Sequence, residues 1–167
     1  MPPVLLCTDF DDTITQRDTT SLLFQLASCS KSTEQQLVAQ YVTELEELLK
    51  SYDSSWGQQG RVSKFDRAGL RDFLEGYAAV DLRSTQRVVE CRALQGIRRS
   101  DIVAAASTVQ LRANCAETLA AVEQWEVLSA NWSTELVVSV LQQAEIATSS
   151  SQIIANGEEI QCSMRLK

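Results

Sequence analysis

The chain opens with a short apolar run and then changes its pattern. Residues 4–8, Val-Leu-Leu-Cys-Thr, have no helical period, which favours a strand buried on both faces of a parallel sheet. Residues 32–52 repeat apolar side chains at helical spacing, and Ser32 with Gln35 matches a capping box. The pattern therefore predicts a strand followed by a long amphipathic helix.

The middle of the chain predicts a block of further helices. Small polar residues and two glycines at 53–65 indicate a loop, and residues 66–124 have a helical pattern almost throughout. Breaks are expected near 76–81, at Gly96 and at 100–101, where a new helix can be capped. The first strand is thus followed by a long helical insertion.

Charged residues in this block have a simple interpretation. Arginines concentrate late in it, and glutamates at 44–47 lie in the first long helix. We predict solvated helix faces with intramolecular ion pairs rather than a phosphate clamp. The arginines concerned are Arg83, Arg87, Arg92, Arg98 and Arg99.

The strand pattern returns after the helical block. Residues 125–133, "WEVLSANWS", predict a strand, residues 134–146 an amphipathic helix and residues 151–156 one more strand. The order of strand, helical insertion, strand, helix and strand predicts an α/β fold with a helical block inserted after the first strand. In such sheets a ligand binds beyond the carboxyl ends of the parallel strands. That edge would carry Ser129 and the acidic run directly after residue 8.

The acidic run consists of Asp9, Asp11 and Asp12. Side chains alternate as a strand ends, so Asp9 and Asp11 are expected to leave on one side while Phe10 turns toward the core. Two neighbouring carboxylates repel, and a divalent cation relieves that repulsion. With magnesium bound, one carboxylate can act as nucleophile while the other holds a proton for a leaving group. The run therefore indicates phosphoryl transfer.

Neighbouring groups fit an anion at the same edge. Thr13 offers a hydroxyl close to backbone N–H groups, and Ser129 offers a hydroxyl at the end of the second predicted strand. The helix expected to start near Ser133 directs its positive end at this place. Asn131 either supports the site or caps that helix.

Composition excludes several function classes. The formal net charge of −7 over 167 residues disfavours nucleic acid as a partner. The absence of histidine excludes Ser-His-Asp and Cys-His catalysis and histidine metal sites. The five cysteines are scattered without a C-x-x-C pair, which predicts neither disulfides nor a zinc site. With no apolar run long enough for a membrane span and no secretory signal, we expect a cytoplasmic protein, or a mitochondrial one if a longer form carries a transit peptide.

The motifs resemble those of one enzyme family. "DFDDT" at 9–13 is similar to the D-x-D-x-T motif of the haloacid dehalogenase-like (HAD-like) phosphatases, and "EVLSANWS" at 126–133 is similar to their second motif. The helical block matches a cap inserted at that family's first cap position. More narrowly, "LLCTDFDDTIT", "DTTSLL" and "VLSANWS" resemble the thiamine monophosphate phosphatase domain of plant bifunctional proteins that also carry a TENA-type domain.

The resemblance implies a role for each matching residue. Asp9 would attack phosphorus and form an aspartyl-phosphate, and Asp11 would protonate the leaving group and then activate water. Asp9 and Asp11, the latter through its backbone carbonyl, would hold Mg²⁺. Thr13, Ser129 and Asn131 would bind the phosphate or support its loop. Asp12 takes a position often filled by glycine in the family and receives no catalytic role.

The resemblance also implies a division of the chain. Residues 1–15 and 113–167 would form a partial HAD-like Rossmannoid core, and residues 16–112 would form the helical cap. The family's third motif needs a basic residue and its fourth an acidic pair, yet few residues after Ser129 can supply them. They are Arg165, Lys167, Glu158 and Glu159.

Two functions therefore remain open. The first is a magnesium-dependent phosphomonoesterase for a small phosphorylated metabolite, with thiamine monophosphate preferred. The second is a truncated, catalytically inactive HAD-like form that serves at most as a binding module. A phosphoacceptor receiver domain fits less well, because its acceptor aspartate follows a later strand and no aspartate follows Asp101.

Overall fold

The structure is a computed structural model that describes residues 5–56, 67–146, 148 and 152–155. Its helices and strands follow the predicted order, so the prediction of an α/β fold with a helical insertion after the first strand is confirmed. In chain order they are β1 (Leu5–Thr8), α1 (Thr20–Leu26), α2 (Lys31–Trp56), α3 (Arg67–Glu90), α4 (Arg99–Ala106), α5 (Cys115–Ala120), β2 (Gln124–Ser129), α6 (Thr134–Gln143) and β3 (Ile153–Ala155).

The three strands form a parallel sheet in the order β1-β2-β3. Trp125, Val127 and Ile153 are buried and, by the register of the strands, share one face of the sheet. The helix α6 contacts β3 and α4. Its apolar face is buried, as its sequence period predicts; the members are Leu136, Val137, Val140 and Leu141.

The opposite face of the sheet is exposed, and we call it the open face. Its apolar members are Leu5, Cys7, Leu128 and Ile154, which the strand register places on one side. Leu128 is 59% exposed and Leu5 is 50% exposed. The prediction that residues 4–8 are buried on both faces is therefore wrong for the described part, because a parallel strand is covered twice only when helices lie on both faces.

The contacts within the chain define two compact units, residues 1–29 with 94–167 and residues 30–93. The segments 16–29 and 94–112, which the sequence assigned to the cap, fall in the unit that contains the sheet. The reason lies in their packing, since α1 contacts α4 and α4 contacts α6. No helix in the described ranges is long and apolar enough to cross a membrane.

The second unit contains the packed helices α2 and α3. Tyr52 and Phe73 meet edge to face with ring centroids 5.2 Å apart. The predicted break near 76–81 is wrong, because α3 continues through it. At Gly76 a Cβ would lie 2.8 Å from Leu48 Cδ1, so this glycine permits a close approach of two helices instead of ending one.

Helix ends differ from the prediction in detail. Ser30, not Ser32, caps α2, because the Ser30 hydroxyl accepts a hydrogen bond from the Thr33 N–H at 3.2 Å. The helix continues to residue 56, so the predicted loop at 53–65 is wrong for residues 53–56, and residues 57–65 lie outside the described residues. The predicted break at Gly96 is confirmed, with φ +91°.

The prediction of intramolecular ion pairs is confirmed for several arginines. Glu44 on α2 accepts from Arg87 at 2.6 Å and from Arg83 at 2.9 Å. Desolvation raises the pKa of Glu44, but the hydrogen bonds and charges of the two arginines outweigh it and leave the pKa below its ordinary value. In the sheet unit, Arg99 pairs with Glu135 at 2.8 Å.

Candidate active site

A single tight turn follows β1 and positions the aspartates. The carbonyl of Phe10 accepts the N–H groups of Thr13, Ile14 and Thr15 at 3.3, 2.9 and 3.0 Å. The Phe10 side chain is 0% exposed, which confirms that it turns into the core. Buried Phe10 thus anchors a turn in which Asp9 is exposed and Asp11 is half-buried.

The turn requires an unusual backbone at Asp12, whose φ is +57°. Aspartate tolerates this left-handed conformation better than most residues do. The Asp12 N–H donates to the Thr15 hydroxyl at 3.2 Å, and Arg112 Nε donates to the Asp12 carbonyl at 2.9 Å. Both bonds hold the turn that connects Asp9 to the insertion.

The far side of this turn is paired with the segment that precedes α5. The Gln16 N–H donates to the Gln110 carbonyl and the Arg112 N–H donates to the Ile14 carbonyl, each at 2.9 Å. Thr15 and Leu111 form an antiparallel bridge between these bonds. The residues that leave the first strand and those that return toward β2 are therefore held side by side.

Asp9 is exposed at the carboxyl end of β1. Its Oδ1 accepts the N–H of Phe10 at 2.7 Å. That bond restrains the carboxylate, and no hydrogen bond within the described residues uses Oδ2. Ser129 ends the neighbouring parallel strand β2, and the pairing of Thr8 with Val127 brings the two strand ends to the same edge.

Asp11 is half-buried and accepts three hydrogen bonds. Its Oδ1 accepts the Thr19 N–H at 2.8 Å and the Thr19 hydroxyl at 2.7 Å, and its Oδ2 accepts Asn131 Nδ2 at 2.8 Å. Burial raises the pKa of Asp11; the bonds from Asn131 and Thr19 oppose this rise without cancelling it, and the nearby charge of Asp18 adds to it. A raised pKa suits a carboxyl group that carries a proton for part of a reaction.

The loop after β2 is organised by its own polar side chains. The Asn131 N–H donates to the Ser129 hydroxyl at 3.1 Å, and Asn131 Oδ1 accepts the Ser133 N–H at 2.9 Å. Ser133 then caps α6, because its hydroxyl accepts the Leu136 N–H at 3.1 Å. The start of α6 near Ser133 is as predicted, and its N-terminus lies directly after this loop.

Four of the five predicted site residues form two pairs, which are linked by the bond from the Asn131 N–H to the Ser129 hydroxyl. Asp11 and Asn131 are bonded to each other, and Asp9 and Ser129 lie at adjacent strand ends. Thr13 is exposed on the turn. The phosphate-binding roles of Thr13, Ser129 and Asn131 and the catalytic roles of Asp9 and Asp11 stay predictions.

Sequence patterns missed two residues that the fold brings to this site. Thr19 binds Asp11 through its N–H and hydroxyl, and Arg112 binds the carbonyl of Asp12. Thr19 lies in "DTTSLL", a segment of the narrower resemblance, so that match was the available signal. Nothing local marks Arg112, which is 100 residues from its partner.

The site residues fit a magnesium ion in their chemistry. Mg²⁺ takes oxygen ligands, keeps several waters and is commonly held by one or two carboxylates plus a substrate phosphate. Asp9, with its free Oδ2, and the carbonyl of Asp11 would supply such oxygens. Within the described residues no group of three or more acidic or cysteine side chains is placed to hold a metal ion, so water and substrate would complete the shell.

Comparison with known proteins leaves the family open. No family model, curated protein or solved structure matches this chain.

Proposed function

We propose that the chain is a magnesium-dependent phosphomonoesterase of the HAD-like type, acting through an aspartyl-phosphate at Asp9. One observation carries the proposal: the same turn holds an exposed carboxylate, Asp9, and a half-buried carboxylate, Asp11, whose pKa is raised. A nucleophile must be ionised and accessible, whereas a general acid must hold a proton near neutral pH. Asp9 is accessible at the surface, and burial raises the pKa of Asp11, which favours its protonated form relative to an ordinary aspartate.

In the first step Asp9 Oδ2 attacks the phosphorus of the substrate. The bond between phosphorus and the ester oxygen breaks, and Asp11 gives its proton to the departing alkoxide. The product alcohol leaves with that proton, and the phosphoryl group remains on Asp9. The hydrogen bond from the Phe10 N–H to Asp9 Oδ1 keeps the attacking carboxylate from rotating.

In the second step Asp11, now ionised, accepts a proton from water. The resulting hydroxide attacks phosphorus, the bond to Asp9 breaks, and inorganic phosphate is released. Asp11 is then protonated again and Asp9 is again a free carboxylate. The same group therefore serves as general acid and then as general base.

The remaining residues would bind the phosphoryl oxygens. The Ser129 hydroxyl accepts a hydrogen bond from the Asn131 N–H. That bond does not use the hydrogen of the Ser129 hydroxyl, so Ser129 can donate it to a phosphate oxygen. Thr13 and the N-terminus of α6 would supply further donors. Bound magnesium would supply positive charge against the phosphate and the two carboxylates.

Thiamine monophosphate is the substrate we propose, on the basis of the narrower resemblance. Its cationic ring suits a chain with a formal net charge of −7. Trp132 packs edge to face with Phe24 at a centroid distance of 5.7 Å, and this contact does not bear on the choice of substrate. Substrate choice therefore needs its own test.

The test is release of inorganic phosphate from thiamine monophosphate with Mg²⁺, measured for the chain and for Asp9→Asn. Asp12→Asn is the matched control, since it removes the same charge three residues away at a position without a proposed role. We expect turnover in the chain and in Asp12→Asn and only background in Asp9→Asn. Equal rates in all three proteins would contradict a nucleophilic role for Asp9. Equal rates of the parent chain on thiamine monophosphate, glycerol phosphate and phosphoserine would contradict thiamine monophosphate as the preferred substrate.

A non-catalytic binding protein is the second candidate. The open face favours it, because exposed apolar side chains on a sheet mark a surface that another molecule can cover. The same assay separates the two candidates. No phosphate release above the Asp9→Asn background, from a chain shown to be folded by circular dichroism, supports the binding protein.

A further inference from the structure

The strongest unassigned feature is the buried contact among Asp11, Thr19 and Asn131. Asn131 is 2% exposed and Thr19 is 5% exposed. These residues come from three segments: the turn after β1, the start of α1 and the loop between β2 and α6. A buried polar group costs free energy unless it is hydrogen-bonded, so such a cluster must be fully paired.

The pairing of the cluster is complete around Asn131. Nδ2 donates to Asp11 Oδ2 at 2.8 Å and to the Thr19 hydroxyl at 2.9 Å, and Oδ1 accepts the Ser133 N–H at 2.9 Å. These partners use both amide hydrogens and the carbonyl oxygen, and they define which end of the amide carries the nitrogen. Asn131 can neither flip nor rotate without losing several bonds.

Thr19 departs from the role its position suggests. It stands at the N-cap of α1, where a threonine hydroxyl ordinarily accepts a backbone N–H of the helix. Here the side chain makes no cap bond, and the hydroxyl donates to Asp11 Oδ1 and accepts from Asn131. The fold therefore forgoes a helix cap and directs this hydroxyl at the carboxylate.

The two carboxylate oxygens of Asp11 accept different numbers of hydrogen bonds. Oδ1 accepts two hydrogen bonds from Thr19, whereas Oδ2 accepts one from Asn131. A carboxylate oxygen has about two lone pairs available for such bonds, so Oδ2 retains one. We propose that Thr19 and Asn131 are positioning residues that hold Asp11 in one rotamer and leave Oδ2 as the oxygen that gives and takes the proton. The inference rests on the proposed phosphatase function.

The test compares two substitutions at one position. Thr19→Ser keeps the hydroxyl, and Thr19→Val keeps the shape but removes it. Asn131→Leu removes the second contact, and Ser139→Ala, at another buried polar position of the same unit, controls for lost stability. Three-bond couplings across χ1 of Asp11, measured by NMR without substrate, report its rotamer independently of turnover.

We expect one Asp11 rotamer in the chain, Thr19→Ser and Ser139→Ala, and averaged couplings in Thr19→Val and Asn131→Leu. In turnover, Thr19→Val should lower kcat by about 100-fold with KM changed by less than about threefold, the size expected when a reacting group is misplaced. Thr19→Ser should restore kcat to within about threefold.

The outcomes distinguish the two proposals. Unchanged couplings in Thr19→Val and Asn131→Leu overturn the positioning role, whatever the rates are. If Thr19→Val and Asn131→Leu lose the single Asp11 rotamer but the parent chain releases no phosphate, the positioning role of Asp11's partners is supported and the phosphatase function is rejected. If Asn131→Leu does not fold, the comparison of Thr19→Val with Thr19→Ser decides alone.

Discussion

Gly76 of α3 faces the end of the Leu48 side chain of α2 so closely that an added Cβ would lie 2.8 Å from Cδ1. Two effects of Gly76→Ala then oppose each other. Alanine stabilises a helix interior by about 1 kcal/mol relative to glycine, whereas overpacking costs about 1–3 kcal/mol. Because Leu48 is half-buried and its end can move, we expect Gly76→Ala to change the free energy of unfolding by less than about 1 kcal/mol.

A double-mutant cycle separates the two effects. In a Leu48→Ala background only the gain in helix propensity remains, so Gly76→Ala should stabilise the chain by about 1 kcal/mol. Urea unfolding followed by far-UV circular dichroism measures each variant. An identical effect of Gly76→Ala in both backgrounds would show that the two residues do not touch in solution.

Asp12 offers a test of the turn after β1. Its φ of +57° is accessible to glycine and asparagine but strained for a β-branched residue. We expect the free energy of unfolding of Asp12→Gly and Asp12→Asn to lie within about 1 kcal/mol of that of the parent. For Asp12→Val we expect it to fall by about 2 kcal/mol. Thermal and urea unfolding provide the comparison, and a valine variant as stable as the parent would contradict the left-handed turn.

The ion pairs of Glu44 predict a dependence of stability on pH. The pKa of Glu44 in the folded chain lies below its ordinary value of 4.5, so its contribution to stability is present above about pH 4.5 and is lost as the pH falls through the lower folded pKa. Glu44→Gln should cost about 1 kcal/mol at pH 7, and the difference from the parent should shrink below pH 4.5.

Glu46→Gln is the matched control for that experiment. Glu46 pairs with Lys50 at 3.2 Å, but their side chains are 59% and 75% exposed, so water screens the pair. We expect its loss to cost less than about 0.5 kcal/mol at any pH. Unfolding midpoints from pH 3 to 7 test both variants, and equal costs for Glu44 and Glu46 would argue against a stabilising contact with Arg83 and Arg87.

The open face predicts how the chain behaves at high concentration. Leu128→Thr and Ile154→Thr should reduce self-association, measured by sedimentation velocity, and change the free energy of unfolding by less than about 1 kcal/mol. Val127→Thr, on the same strand at a fully buried position, should cost about 2 kcal/mol or more. Similar losses at 127 and 128 would mean that both faces of β2 are covered in solution.

Much of the fold follows from local pattern. The apolar period of α6, the glycine stop at Gly96 and the order of elements were all predictable, because each depends on residues close in sequence. Burial of β1 was not, since its apolar run is equally consistent with one or two covering layers. Gly76 was misassigned for a similar reason: a glycine that ends a helix and one that admits a neighbouring helix look alike until the neighbour is placed.

In the candidate site, too, some features follow from local sequence and others depend on distant residues. The inward turn of Phe10 and the start of α6 near Ser133 follow from adjacent residues and were predicted, whereas the cap is Ser133 and not Asn131, the alternative that the sequence had left open. The bonds from Thr19 and Asn131 to Asp11 join positions 8 and 120 residues apart, and no local rule pairs them. The choice of Ser30 over Ser32 as a cap likewise depends on where the chain enters α2.

The bonds of Gln16 and Arg112 close the insertion at its base, where the chain leaves the sheet and where it returns. These few backbone contacts make the insertion a closed loop. The entropy of closing such a loop grows only with the logarithm of its length, by about 0.6 kcal/mol for each doubling. A longer insertion would therefore add little to this closure entropy, and the turn that carries Asp9 and Asp11 would stay beside β2 as long as the contacts at the base are kept.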